Sequence, residues 1–158
     1  MHTRRIFAAL AIASLAACAS QPTPVSITET LARTRQLSTL SQLVQQAGLA
    51  DTLKGQGPFT VFAPSDEAFK AVPAKTMDEL AKDPARLKAV LTYHVVASKL
   101  NAADIKNMSV KSVNGADLAL SKAGDFVTVE DAAVQTADIA ATNGVVHIVD
   151  RVMMPPRK

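Results

Sequence analysis

The stretch Phe59-Thr60-Val61-Phe62-Ala63-Pro64-Ser65-Asp66-Glu67-Ala68-Phe69 decides the fold of this chain. Its first four residues are aromatic, β-branched or hydroxylated, which is typical of a buried strand. Pro64 has no N–H to donate to a neighbouring strand, so we expect the strand to end there. Ser65 is a good helix N-cap, and the two acidic residues that follow it favour a first helical turn. The stretch therefore predicts a strand that turns directly into a helix.

Helical periodicity dominates the chain on both sides of this stretch, up to about residue 91. Apolar residues recur at three- and four-residue steps, which is the spacing of a buried helical face. Glycines, prolines and N-cap residues divide the pattern into separate helices. The predicted elements are a helix over Ile27–Leu49 with a separable first turn at Thr28–Ala32, a short helix over Met77–Ala81 capped by Thr76, a helix that begins at Asp83-Pro84, and a strand over Tyr93–Val96.

In the second half of the chain, the pattern changes to short runs in which apolar residues recur at every second position, which predicts strands. Asn114-Gly115 lies between two of the runs and favours a tight hairpin, because both residues tolerate a positive φ. The pattern predicts an α+β fold with an antiparallel-rich sheet and with helices mostly in the N-terminal half. The predicted strands are Met108–Val113, Asp117–Leu120, Phe126–Val129, Ala132–Gln135 and Val145–Met154.

The first residues indicate export and lipid attachment. Residues 1–17 combine the basic pair Arg4-Arg5 with an apolar run that is too short to span a bilayer. Small residues then precede Cys18, the single cysteine of the chain, as in a bacterial lipobox. We expect a lipoprotein signal peptide over residues 1–17 and a lipidated cysteine with a polar tether over residues 18–26; the alternative is an ordinary secretory peptide with an incidental cysteine. Because Ala19 is not an aspartate, sorting rules favour the outer membrane, and they leave open whether the protein faces the periplasm or the surface.

Charge and cysteine content narrow the possible partners. The formal net charge is +3, and it includes Arg4 and Arg5, so the chain without its leader is nearly neutral. The remaining basic residues are scattered without a stripe or interleaved aromatic residues, which argues against a nucleic-acid partner. Since Cys18 is the only cysteine, no disulfide can form within the chain, and the fold must be stabilised by its core.

The sequence shows no pattern that would support catalysis or metal binding. His94 and His147 are each isolated in an apolar run, whereas a zinc site needs three or four ligands at suitable spacing, so we predict no metal and no other cofactor. Ser65, Asp66 and His147 have the residue types of a nucleophilic triad. However, no G-x-S-x-G turn is present, and Ser65-Asp66 is explained by helix capping. We therefore predict that the protein is not an enzyme.

Three stretches resemble the signatures of the fasciclin-like domain family. Residues 60–69 are similar to its T-V-F-A-P-[TS]-D-x-A-F pattern, and Tyr93-His94 resembles its central tyrosine–histidine pair. Residues 143–155 are similar to N-G-V-V-H-x-[IV]-D-x-V-[LM]-x-P. Their order and spacing fit one domain over residues 27–155, with residues 156–158 as a tail. The signature positions in this chain are Thr60, Phe62, Pro64, Ser65, Asp66, Phe69, Asn143, Gly144, His147 and Asp150.

The resemblance implies a β-sandwich or wedge of about seven strands flanked by helices. It also implies a non-enzymatic module for cell adhesion or protein interaction, because members of the family act chiefly in cell adhesion and matrix contacts. We expect two partners: the membrane, through Cys18, and an envelope or extracellular protein or glycan. The alternative function is a periplasm-facing scaffold or an accessory subunit of an envelope enzyme.

Two residue pairs are candidate interaction sites through the resemblance. Tyr93-His94 matches a pair linked to interactions in the family, and Asp138-Ile139 resembles an Asp-Ile pair linked to integrin binding in animal matrix members. A packing role competes with each of these functional roles. Ile139 is a natural core residue, and a Tyr and a His with apolar residues around them can satisfy buried polar groups. Alternation along residues 145–150 likewise predicts a central strand in which His147 is structural.

Overall fold

The computed structural model describes residues 25–156. The predicted signal peptide, Cys18, residues 18–24 of the predicted tether and residues 157–158 of the predicted tail lie outside the described residues. The helices are α1 (Ile27–Arg33), a 3₁₀ turn (Arg35–Leu37), α2 (Ser38–Gln46), α3 (Ala50–Lys54), α4 (Asp66–Lys70), α5 (Ala74–Lys82) and α6 (Pro84–Tyr93). The strands are β1 (Phe59–Pro64), β2 (Val95–Val96), β3 (Met108–Lys111), β4 (Asp117–Ala123), β5 (Phe126–Val129), β6 (Ala132–Ala141) and β7 (Gly144–Val149).

The seven strands form one strongly curved sheet in the order β2-β1-β7-β6-β5-β4-β3. Every neighbouring pair is antiparallel except β1 and β7, which run parallel. The two edges of the sheet approach each other, since Val96 pairs with Ser112 and the Val113 N–H donates to the Val95 carbonyl at 2.7 Å. The sheet is therefore nearly closed into a barrel. The predicted α+β fold, with about seven strands and with helices mostly in the N-terminal half, is confirmed.

The curved sheet separates two hydrophobic cores, and β1 contributes to both. Val61 and Ala63 pack against the helices in the first core, whereas Phe62 lies in the second core inside the near-barrel. On β7, Val146 and Ile148 face the helices and Val149 faces the interior of the near-barrel. This alternation follows from the two-residue period of a strand that is buried on both faces. The prediction that the C-terminal signature forms a central strand is confirmed.

The parallel pair β1 and β7 depends on a glycine at its start. Phe59 pairs with Gly144, and the pairing continues to Pro64 and Val149. A Cβ atom on Gly144 would lie 1.8 Å from the carbonyl oxygen of Phe59, so no other residue fits this close approach. Beside it, the Phe59 N–H donates to the Asn143 carbonyl at 3.0 Å.

Asn143 fastens three segments together at the amino ends of β1 and β7. Its side-chain Oδ1 accepts the Ile27 N–H at 3.0 Å, and its Nδ2 donates to the carbonyls of Leu53 and Gly55, the latter at 3.1 Å. In the sequence, Asn143 and Gly144 stand out only as positions of the C-terminal signature. The structure adds a polar junction that holds the start of α1 and the end of α3 against the sheet.

The turn from β1 into α4 also caps a second helix. Ser65 is the N-cap, as predicted, because its Oγ accepts the Ala68 N–H at 3.3 Å. Asp66 reaches the N-terminus of α2, where its two carboxylate oxygens accept the Ser38 hydroxyl at 2.7 Å and the Thr39 N–H at 2.9 Å. Burial by itself would raise the pKa of Asp66. The hydrogen bonds from Ser38 and Thr39 together lower it by more, so the pKa of Asp66 lies below its ordinary value. Asp66 thus supplies the cap that α2 lacks in its own sequence.

Several element boundaries differ from the predicted ones. The predicted helix over Ile27–Leu49 is divided by the 3₁₀ turn, and the helix predicted to begin after Thr76 begins at Ala74, because the Pro73 carbonyl accepts the Thr76 and Met77 N–H groups. Tyr93 ends α6 and His94 is its C-cap, so the predicted strand shrinks to two residues. β6 is longer than predicted, and β7 ends at Val149 because Asp150 turns to pair with Ala133.

Asp66→Ala should lower the free energy of unfolding by about 1 kcal/mol, the usual cost of losing a side-chain helix cap. Glu67→Ala is the matched control, because Glu67 is the next acidic residue of the same turn and its exposed side chain forms an ion pair with Lys70. We expect Glu67→Ala to cost much less. Urea denaturation at pH 7 measures both, and equal losses for the two variants would contradict the capping role of Asp66.

Gly144→Ala should lower the free energy of unfolding by about 3 kcal/mol or more, because a main-chain overlap cannot be relieved by a change of rotamer. Gly115→Ala is the control: Gly115 has a φ of +91° but open space around its Cβ position. Its cost should stay at about 1–2 kcal/mol of backbone strain. A Gly144→Ala variant that is as stable as Gly115→Ala would show that β1 and β7 do not approach this closely.

Candidate functional site

An open groove of about 700 Å³ lies where three separate segments meet. One wall runs from α4 to the start of α5, a second is one face of α6, and the third is the segment after β7. Most of the lining is apolar. We call this feature the C-terminal groove, and it is lined by Ala68, Ala71, Val72, Pro73, Thr76, Arg86, Val90, Arg151, Val152, Met154, Pro155 and Pro156.

The C-terminal wall of the groove is held in place by His94. This ring is buried, and its Nδ1 lies 2.8 Å from the Val90 carbonyl, while its Nε2 lies 3.0 Å from the Met153 N–H. Since a carbonyl can only accept and an amide N–H can only donate, Nδ1 carries the proton and Nε2 is the acceptor. Burial lowers the pKa of His94 to about 4, so the ring is neutral at pH 7. His94 thereby fastens the segment after β7 to the end of α6.

Tyr93 lies behind the same wall. Its side chain is buried in the second core, and its hydroxyl donates to the Asp117 carbonyl at 3.4 Å. Burial is the main cause that raises the pKa of Tyr93, and the nearby Glu130 carboxylate raises it further. A smaller depression of about 330 Å³ lies over Tyr93 and shares Arg151, Val152 and Met154 with the groove. The predicted Tyr93-His94 pair therefore supports a candidate site from beneath, and it presents no exposed aromatic surface.

The charge of the groove is one-sided. Arg86 and Arg151 are its two ionisable lining residues, and no acidic residue lines it. The Arg86 Nη1 lies 3.1 Å from Glu79, but the Arg86 side chain remains 43% exposed. Arg151 is exposed and forms no ion pair with any residue between 25 and 156. Each guanidinium has five N–H donors, so each arginine can donate hydrogen bonds to a further anionic group.

The second candidate pair, Asp138-Ile139, lies on β6 beside β7 and does not line the groove. Asp138 adopts a left-handed φ of +57°, which allows its N–H to donate to the His147 Nδ1 at 3.2 Å. Its exposed carboxylate accepts the Ala102 N–H at 2.7 Å. Ile139 is half-buried against the first core. The structure thus gives both residues structural contacts, and it does not bring them to the C-terminal groove.

His147 is the link between this second pair and the interior of the near-barrel. Its ring is buried and stacked on Phe62, with ring centroids 5.5 Å apart. Because Nδ1 accepts the Asp138 N–H, Nε2 carries the proton and donates to the Leu100 carbonyl at 2.6 Å. Burial is the main cause that lowers the pKa of His147, so this ring is also neutral at pH 7. The Leu100 N–H in turn donates to the buried Thr60 hydroxyl at 2.8 Å, which fixes the segment between β2 and β3.

The triad residue types do not assemble into a reactive group. Ser65 accepts a backbone N–H, Asp66 caps α2, and both ring nitrogens of His147 are engaged by main-chain groups. Within residues 25–156, no cluster of three or more His, Cys, Asp or Glu side chains could hold a metal ion. In the same part of the chain, no helix is both long and apolar enough to cross a bilayer.

The domain has two distinct ends along the β1–β7 pair. At the amino ends of these strands, the Thr142 N–H donates to the Val25 carbonyl at 2.9 Å, so the N-terminal part of the domain begins here. The segments that follow their carboxyl ends build the C-terminal groove. Six paired residues separate the two ends, which corresponds to roughly 16–20 Å of strand.

Sequence reasoning missed the groove and its two arginines. Arg86 lies on α6, and Arg151 lies within the C-terminal signature at residues 143–155. In the sequence, both are part of a scattered set of basic residues. No local pattern joins them, because they meet only after β7 has paired beside β1. The nearest signal in the sequence is the group of prolines 73, 155 and 156 beside apolar residues.

The seven-stranded near-barrel, with its helices mostly in the N-terminal half, is a fold that known proteins share. The profile of the fasciclin domain family matches residues 35–155, so this chain belongs to the fasciclin domain family. The family resemblance of the three sequence stretches is confirmed.

Relatives come from bacteria and animals. Protein sll1483 of Synechocystis sp. is 40% identical over 87% of this chain and 78% of its own length. The cell surface glycolipoprotein MPB83 of Mycobacterium bovis is 35% identical over 90% of this chain and 64% of its own length. The transforming growth factor-beta-induced protein ig-h3 of Sus scrofa is 38% identical over 83% of this chain, which spans 19% of that larger protein. The family and these relatives support an interaction or adhesion module.

The fold also matches a solved structure. A pair of FAS1 domains from the insect cell adhesion molecule fasciclin I aligns with a TM-score of 0.65 and 27% identity. The alignment covers 78% of this chain and 46% of the solved chain, so the present chain spans less than half of that domain pair.

Acid should destabilise the fold before the carboxylates titrate, because both buried histidines are neutral. The unfolded chain takes up a proton on His94 below pH 6.5, whereas the folded chain resists it until about pH 4. Stability is therefore complete above pH 6.5 and falls as the pH drops from 6.5 to 4, by roughly 3 kcal/mol for His94, and His147 acts in the same direction.

Denaturant unfolding of the wild type and of His94→Gln at pH 7.0 and pH 4.5 measures this effect. The variant should be less stable at pH 7.0 and should lose less stability between the two pH values, because Gln does not titrate. If both proteins lost the same stability, His94 would not be the buried neutral ring that holds the C-terminal segment.

Proposed function

We propose that the protein is a lipid-anchored, non-enzymatic interaction module of the bacterial envelope, and that it presents the C-terminal groove away from the membrane. The observation that carries this proposal is the two-ended domain. Val25 lies at the amino ends of β1 and β7, and the groove lies beyond their carboxyl ends. A lipid on Cys18 would hold the first end near the bilayer. The groove would then face outward, where a partner can reach it.

The sequence and the relatives support the same proposal. The lipobox before Cys18 is a suitable acylation site, and stable anchoring requires more than one acyl chain. One relative is described as a cell surface glycolipoprotein, and the matched solved structure comes from a cell adhesion molecule. A tether over residues 18–26 would span at most about 25–30 Å, so the domain would stay close to its membrane.

Anchoring is tested by Cys18→Ser in the native host. We expect the wild type to incorporate an alkyne-labelled fatty acid and to fractionate with the outer membrane, and we expect the variant to lose the label. Protease treatment of whole cells then separates the two orientations. Digestion of the wild type supports outward presentation, whereas complete protection would favour the periplasm-facing scaffold or accessory subunit.

The role of the groove is tested in cells by Arg151→Glu, which reverses a charge at its rim. We expect a several-fold loss of surface attachment or aggregation with unchanged anchoring and abundance. Arg35→Glu is the matched control, because Arg35 is an exposed arginine on the 3₁₀ turn and does not line the groove. Equal attachment by wild type and Arg151→Glu, or equal losses in both variants, would contradict a binding role for the groove.

A further inference from the structure

We propose that the C-terminal groove binds a single-chain amphipathic anion, with an acyl-like apolar body along its floor and a carboxylate held by Arg86 and Arg151. This inference rests on the proposed function, since it names the chemistry of the ligand that the same groove would take. It follows from the volume, lining, charge and main-chain bonding of the groove.

The dimensions and lining suit a small amphipathic molecule. Ligand sites in proteins commonly measure about 300–1,000 Å³ and are mostly apolar with a few polar groups that orient the ligand. The groove has about 700 Å³ and contains the side chains of Val72, Val90 and Val152. An unbranched hydrocarbon chain would cover these three valine side chains, which we call the floor of the groove, and would release the water in contact with them.

The charge of the groove specifies an anion. Arg86 and Arg151 are its ionisable lining residues, and both keep exposed guanidinium groups. Arginine binds a carboxylate through two parallel hydrogen bonds, which are stronger when both partners are charged. A cationic or neutral head group would leave Arg151 without a counter-charge and would add no charged partner for Arg86 beyond Glu79.

The main chain of the groove argues against a peptide as the occupant. Pro73, Pro155 and Pro156 have no N–H, and the N–H groups of Val72 and Met153 are already bonded to the Phe69 carbonyl and to His94. A bound peptide would bring a repeating series of carbonyls, and those that face the prolines would find no main-chain donor there, although unsatisfied buried carbonyls are costly. An acyl chain has no such groups, and it places all its polarity at one end.

The walls are held in place before any ligand arrives. His94 bonds Met153 in the buried layer beneath the groove, and Val90 and Arg86 project from the same helix, α6. A preformed groove loses less conformational entropy on binding than a flexible one does. The backbone positions of the two arginines relative to the apolar lining are therefore set by the fold.

The test uses a chain that begins at Ala19. It retains residues 25–156, and with them all seven strands, both cores and every contact described above. Isothermal titration with dodecanoate, below its micelle concentration, is compared with dodecan-1-ol and dodecyltrimethylammonium. We expect saturable one-to-one binding of dodecanoate, and binding at least tenfold weaker for the neutral and cationic analogues.

Variants assign the binding to the groove. Arg86→Gln combined with Arg151→Gln should weaken dodecanoate binding at least tenfold and leave dodecan-1-ol unchanged, and Arg35→Gln should match the wild type. Ala71→Phe adds a large side chain at an exposed lining position and should weaken both ligands. Thermal melting verifies that each variant is folded, so that a loss of binding can be interpreted.

Three results would overturn the inference: no saturable binding of dodecanoate, equal binding of dodecanoate to the double arginine variant, or tighter binding of a short acidic peptide with alternating leucines and glutamates. These results are distinguishable from a failure of the proposed function. If dodecanoate does not bind but Arg151→Glu abolishes attachment of cells, the groove binds a different partner. If dodecanoate binds as expected but attachment is unchanged, the ligand site stands and the adhesion role fails.

Discussion

The parallel pairing of β1 with β7 is the interaction on which the rest of the structure depends. It joins a strand from the helical half of the chain to the last strand of the sheet, and it tolerates only glycine at position 144, where the two backbones touch. Its two faces supply both cores, with Val61 and Ile148 toward the helices and with Phe62 and Val149 toward the near-barrel. Contacts between distant parts of a chain are entropically costly to form. Here the cost is offset by hydrophobic burial on both sides of the same strands.

Two neutral histidines act as cross-links around this pair, and they use opposite tautomers. His94 donates through Nδ1 and accepts through Nε2, whereas His147 donates through Nε2 and accepts through Nδ1. Each ring therefore joins a carbonyl to an amide N–H from a different segment. Such bonds leave no buried ring nitrogen unsatisfied, which is the condition for placing an imidazole in a core. His94 fastens the segment beneath the groove, and His147 bonds Asp138 to the segment that follows β2. Neither histidine presents its ring to solvent.

The sequence was sufficient for the type and order of most elements. The cap at Ser65, the start of α6 at Asp83-Pro84 and the short C-terminal strands follow from local bonding rules that operate within a few residues. The sequence was insufficient where a residue distant in the chain determines the end of an element or the bonding of a side chain. Tyr93 remains helical because the apolar face of α6 is buried as far as its end, and Asp66 caps a helix that precedes it in the chain. Asn143 is one signature position among ten in the sequence, but in the structure its side chain bonds the start of α1 and the end of α3.

By itself, the sequence determined the family, the α+β class, the number of strands and the cap that turns β1 into α4. These features depend on local propensity, hydrophobic period and short motifs, which are legible along a single chain. Only the tertiary structure decided the parallel register of β1 and β7, the tautomers of His94 and His147, and the groove with Arg86 and Arg151. The physical reason is that each of these depends on groups far apart in the chain, which acquire their geometry and electrostatics only when the sheet curves and brings them together.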